Sequence, residues 1–185
     1  LIGISPCCEK VLFARYNLDK LGREVDRDSL VSRPDTMWRY AELLPVNDSA
    51  DIVSLGEGGT PLIKSVNLAN NLGMRNLYIK EEGLNPTGTF KARGLSAAIS
   101  KAKELGATGF TVPSAGNAAG AAAVYGARAG LGVKAYMPQD APDANKKECL
   151  LADTELNLVD GHIGDAGRQA VAVADEENLF DLSTL

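Results

Sequence analysis

Two short stretches hold residue types at spacings that could do chemistry. In Asn85-Pro86-Thr87-Gly88-Thr89-Phe90-Lys91-Ala92-Arg93-Gly94, proline and glycine bend the chain just ahead of a predicted helix. Lys91 therefore falls in the first turn of that helix, beside unpaired backbone N–H groups and the positive end of the dipole. Both disfavour a protonated amine, and a neutral lysine amine can condense with an aldehyde. The spacing also fits a solvated surface lysine that follows a turn. In Pro113-Ser114-Ala115-Gly116-Asn117-Ala118-Ala119-Gly120, small residues let the backbone approach a ligand. The first N–H groups of the helix that follows can take a carboxylate or a phosphate. Asn117 could set an amide against a ring oxygen; alternatively Asn117 or Ser114 only caps the helix. The three-glycine spacing of a dinucleotide loop is absent. A third stretch, Gly56-Glu57-Gly58-Gly59-Thr60-Pro61-Leu62, predicts a tight loop and by itself no chemistry.

The elements that must position these residues follow from patterning. Leu77–Ile79, Gly109–Val112, Val133–Met137, Leu156–Val159 and Leu179–Asp181 read as strands. Helices are predicted over Lys91–Leu105, Asn117–Ala129, Pro142–Leu151 and Asp165–Glu177, with Gly106 and Gly130 as stops. Strands alternating with helices of this length imply right-handed βαβ units and a parallel sheet, so the fold class is α/β. Ahead of these, Val11–Phe13 reads as a short strand. Asp35–Leu44 reads as a brief helix, with Asp35 as N-cap and Pro45 as stop.

Composition narrows the function classes. The 185 residues are 45% apolar and 23% charged, which a folded domain can use to bury a core. No apolar run approaches the roughly 20 residues that span a bilayer. The net charge of −5, with scattered lysines and arginines, argues against a nucleic-acid partner. Three cysteines (Cys7, Cys8 and Cys149) make no disulfide scaffold and favour a reducing, cytoplasmic setting. The single histidine, His162, leaves no material for a multi-histidine metal site and reads as a loop residue. The start at Leu1, without a methionine, suggests a chain that begins inside a longer protein.

Taken in order, the three stretches resemble the fold-type II pyridoxal-phosphate enzymes of the tryptophan synthase β-like kind, and within them the threonine synthases. Trp38-Arg39-Tyr40, Glu42-Leu43-Leu44-Pro45, Met137-Pro138, Leu158-Val159-Asp160-Gly161 and Phe180–Leu185 are similar too. The resemblance implies a parallel sheet with helices on both faces. It makes residues 1–34 a degenerate ribbon-like segment and linker, and 35–91 the start of a large cofactor domain. Residues 92–182 become a complete small α/β domain, and 183–185 open the truncated remainder of the large one. It implies that Lys91 is the Schiff-base lysine, moving protons at the substrate's α and β carbons, with Phe90 beside it. Asn117 would bond the cofactor's phenolic oxygen. Ser114, Ala115, Gly116, Asn117, Ala118 and Thr184 would hold the substrate. The implied reaction turns O-phosphohomoserine and water into threonine and phosphate, which makes the parent protein a carbon–oxygen lyase. A homodimer is within the family's pattern, whereas nucleic-acid and membrane partners are not.

Departures are visible. Ala92 stands where many relatives have aspartate, and Ala115 and Ala118 where some have hydroxyls. Ser5 replaces a cysteine of the knuckle around Cys8, so no structural zinc is expected. The cofactor-phosphate cup of the family falls beyond Leu185, so the 185-residue chain alone is expected to be inactive. A serine or threonine dehydratase of the same fold, or a non-catalytic binding module, are the alternatives.

Overall fold

The computed structural model describes residues 5, 7, 8, 10 and 12–183. Thr184, named above for the substrate, and Val11 of the expected strand lie outside them. Leu12 and Phe13 are irregular and exposed, so no strand forms there. Without a partner strand, three apolar residues cannot satisfy their backbone groups in extended form. The first helix, α1 (Leu18–Glu24), was not expected from its mixed-charge sequence; Asn17 caps it by accepting the Lys20 amide at 2.9 Å. The helix expected over Asp35–Leu44 is instead a 3-10 segment, Met37–Leu43, interrupted at Tyr40 (φ −108°, ψ 38°); Thr36, not Asp35, holds the N-cap position, without a side-chain capping bond. Seven residues with one break are too few for a cooperative α-helix.

Then come β1 (Leu62–Lys64), α2 (Val66–Asn71) and β2 (Tyr78–Lys80), with β1 and β2 paired antiparallel as a two-stranded ribbon. The remaining chain alternates as predicted: α3 (Lys91–Glu104), β3 (Gly109–Pro113), α4 (Asn117–Ala129), β4 (Gly132–Pro138), α5 (Asp143–Leu151), β5 (Glu155–Val159), α6 (Ile163–Glu177) and β6 (Phe180–Asp181). Gly106 (φ +82°) and Gly130 (φ +71°) take the left-handed positions that stop α3 and α4. The four strands β3–β6 form one parallel sheet in the order β5-β4-β3-β6.

Alternation along the strands sorts the core. Phe110 and Val112 of β3, with Val133, Ala135 and Met137 of β4, face the layer of α3, α4 and α5. Tyr136 and Val159 point the other way, onto Ala166 and Ala170 of α6. Each large apolar side chain so buried contributes about 1.5–3 kcal/mol. The α4 layer sits close to the sheet because Gly126 carries no side chain: a Cβ there would run into the methyls of Val133. Val133 is a stiff, buried β-branched residue with nowhere to move. Gly126→Ala is therefore expected to destabilise the protein by about 1–3 kcal/mol. The check is a lower urea midpoint at unchanged slope.

The topology fixes where a site can form. α4 follows β3 directly, so its N-terminus stands at the carboxyl end of that strand, and α3 packs on α4. From β3 the sheet grows one way through β4 and β5, and the chain then returns to place β6 on the far side of β3. Right-handed crossovers in opposite directions put α4 and α6 on opposite faces. The crevice between β3 and β6 is thus the switch point at which open parallel sheets bind ligands.

Candidate active site

The loop before α3 is built by its own residues. The Gly88 N–H donates to the Asn85 carbonyl at 2.8 Å, closing a turn with Asn, Pro and Gly at the positions that favour them. Thr89 Oγ1 accepts the Lys91 N–H at 3.2 Å. Lys91 is the first residue of α3, and the next residue, Ala92, is fully buried and anchors the turn. The Lys91 Nζ lies 4.9 Å from the centroid of the Phe90 ring. Among the described residues no carboxylate pairs with it.

Behind Lys91 stands a clamp that local spacing did not reveal. Arg93 grips Glu82 through Nε at 2.7 Å and Nη2 at 2.8 Å. The Thr60 hydroxyl donates to Glu82 at 2.6 Å, and the Asn85 amide donates to its other oxygen at 3.1 Å. The Gly58 N–H donates to Asn85 Oδ1 at 3.1 Å, and Lys80 donates to the Thr60 carbonyl. The glycine-rich stretch at 56–62, which predicted only a loop, is therefore tied to the lysine-bearing turn. Hydrogen bonds from Arg93, then Thr60, hold the Glu82 carboxyl at about 2. A depressed pKa means that the stabilisation is complete above the ordinary value of 4.5 and is lost as pH falls toward 2. Glu82→Gln should thus lower Tm at neutral pH, with the gap to the parent closing as pH approaches 2. A thermal-melt series across that window checks it.

The second stretch lies where β3 hands over to α4. Ser114 N–H donates to the Tyr136 carbonyl at 3.0 Å, and Ser114 Oγ accepts the Gly116 N–H at 3.2 Å. Asn145, at the start of α5, donates to the Ala115 carbonyl at 2.7 Å. Gly116, not Asn117 or Ser114, is the N-cap, and it has no capping side chain. Asn117 is the first residue of α4 and is exposed. Among the described residues the Asn117 and Ala118 N–H groups meet no acceptor, which is the condition for an anion site. Lys91 and Asn117 thus each begin a helix, and the two helices pack on one another. A cleft of about 380 Å³ lies beside the same loop, between Pro86–Gly88, α4 and α5, but neither Lys91 nor Asn117 lines it.

Other candidates resolve plainly. Cys149 is buried in the core, and burial pushes its thiol up to about 11, as suits an inert side chain. Cys7 and Cys8 are exposed and free. His162 is the N-cap of α6, where its N–H donates to the Asp165 carboxylate at 2.7 Å. Among the described residues no group of three potential ligands could hold a metal ion, and no helix is long and apolar enough to cross a membrane.

A parallel sheet with helices on both faces and a topological switch point is the architecture of ligand-binding doubly wound α/β proteins. The match of residues 53–184 to the family described as "Pyridoxal-phosphate dependent enzyme" is direct, and this chain belongs to that family. Threonine synthase of Methanocaldococcus jannaschii is 35% identical over 179 residues, covering 96% of this chain and 44% of the relative. The chain therefore spans less than half the length of that curated relative. A pyridoxal 5'-phosphate-dependent aspartate racemase has a similar structure (TM-score 0.63, 27% identity, 67% of this chain and 39% of that one). So does threonine deaminase isoform 2 from Solanum lycopersicum (TM-score 0.61, 25% identity, 76% and 42%).

Proposed function

We propose that this chain is the lysine-bearing part of a threonine synthase, the lyase that converts O-phosphohomoserine and water into threonine and phosphate. The observation that carries the reading is that Lys91 and Asn117 each begin one of two helices packed on one another. Their surroundings fit pyridoxal phosphate: an amine without a carboxylate partner, an exposed amide without a described bond, and two N–H groups open to an anion. When bound, the cofactor supplies an electron sink. Lys91 would hold its aldehyde carbon and move protons at the substrate's α and β carbons. Asn117 would hold the ring through its phenolic oxygen, and Phe90 flanks the lysine. The Ser114–Ala118 turn binds the amino-acid carboxylate, fixed in place by Asn145. Ala115 and Ala118 offer backbone only, so the N–H groups carry that contact. Residues 92–182 act as the small domain and 35–91 as the opening of a large one. A cytoplasmic enzyme that can dimerise belongs to the same reading.

The structural likeness to a threonine deaminase supports one second reading, a dehydratase acting on serine or threonine. Assay of the full-length protein separates the two. Phosphate release from O-phosphohomoserine without oxo-acid formation from threonine is expected. Oxo-acid formation alone would overturn the synthase reading.

A further inference from the structure

The best-connected buried carboxylate in the molecule lies outside the site. The Glu57 side chain is wholly buried, yet no cation pairs with it among the described residues. Four donors meet it instead. Its Oε1 accepts from Trp38 Nε1 at 2.8 Å and from the Ser96 hydroxyl at 2.5 Å. Its Oε2 accepts from the Tyr125 hydroxyl at 2.5 Å and the Leu55 N–H at 2.9 Å. Ser96 Oγ also lies 2.8 Å from the Val53 carbonyl, but its one proton favours the shorter, charge-assisted contact. Burial pushes the Glu57 carboxyl up, and these hydrogen bonds outweigh it to keep the group below its usual range.

The partners matter more than their number. Ser96 belongs to α3, about a turn and a half beyond Lys91. Tyr125 belongs to α4, about two turns beyond Asn117. Glu57 sits between the two helices whose heads form the candidate site, on a loop also pinned by Met37 N–H to the Glu57 carbonyl at 2.8 Å. An isolated charge is costly to bury, and an apolar side chain would fill the space more cheaply. What a carboxylate adds is direction: two oxygens that each fix one helix.

We infer that Glu57 is a positioning residue, whose carboxylate locks α3 to α4 and so sets Lys91 against Asn117. That role rests on the reading of Lys91 and Asn117 as cofactor-holding residues. Helices are stiff, so a shift at Ser96 or Tyr125 is carried to their first turns. A misplacement of about 1 Å there can cost on the order of a hundred-fold in rate.

The test is Glu57→Gln in the full-length protein, which keeps the length of the side chain and removes its charge. Pyridoxal phosphate affinity should fall about tenfold, the usual effect of weakening bonds to a charged group. In the double variant with Asn117→Ala, the loss of affinity should be smaller than the product of the two single losses, because both act through the same contact. A fully multiplicative loss, or unchanged affinity, overturns the inference. Amide exchange without cofactor gives an independent reading: the first two turns of α3 and α4 should exchange faster, with β4 and β5 unchanged. Uniformly faster exchange would make Glu57 simply a stability residue and overturn its positioning role. If the parent protein takes no cofactor at Lys91, the functional reading fails, while the exchange pattern still decides whether Glu57 locks the two helices. Should Glu57→Gln not fold, Tyr125→Phe removes the α4 contact alone and is judged by the same outcomes.

Discussion

Lys91→Ala is expected to lower turnover of the full-length protein by roughly 10²–10⁴-fold or more, the span that positioned proton transfer supplies. The fold should not notice. Lys91 is the first residue of α3, alanine is the best helix former, and the side chain's described neighbour is the Phe90 ring, itself exposed. Stability is therefore predicted within about 0.5 kcal/mol of the parent, as for surface substitutions generally. Borohydride reduction with pyridoxal phosphate, followed by peptide mapping, should place the adduct on Lys91. The neighbouring amines are engaged: Lys80 donates to the Thr60 carbonyl and Lys101 pairs with Glu104. An adduct on Lys80 or Lys101 would end the assignment.

Asn117→Ala is the second large effect. Loss of a hydrogen bond to a charged oxygen costs about 1.5–3 kcal/mol, or roughly ten- to a hundred-fold in cofactor affinity and turnover. The prediction is sharp because Gly116 caps α4 and the Asn117 side chain has no described partner. The helix loses nothing when the amide is removed. Weaker cofactor binding with an unchanged melting temperature is the expected pair of results. A lower melting temperature with unchanged affinity would show that the asparagine serves the helix.

How legible this was in the sequence depended on the range of the interactions. From Lys91 onward the elements follow from local signals: alternating apolar strands, an alanine-rich helix, and glycines at 106 and 130 whose left-handed backbone stops a helix. The heads of α3 and α4 were legible for the same reason, since each follows a turn of small residues, Pro or Gly. The N-terminal part was not. A 3-10 segment broken at Tyr40 has no helical period to detect, and α1 buries no residue, so no apolar stripe marks it. The Glu82–Arg93 clamp joins residues 11 apart, and Glu57 meets partners 39 and 68 residues away. Nothing in the neighbourhood of Glu57 names those partners. Only the flanking glycines hinted that its backbone must follow an unusual path, and Gly58 (φ +109°) does so where a Cβ would strike Met37.

The strand order β5-β4-β3-β6 also has a meaning in time. β4 docks on β3 and β5 on β4, each through one short crossover, so three of the four strands can assemble from near neighbours. The last strand cannot. It must return across the whole sheet to meet β3, joining Thr111 to Asp181 over a separation of 70 residues. Closing so long a loop costs entropy before any contact repays it, so this pairing belongs at the end of folding. The crevice that β6 completes is the switch point of the sheet. The strand that borders the switch point is thus the one whose pairing carries the largest closure cost in the sheet.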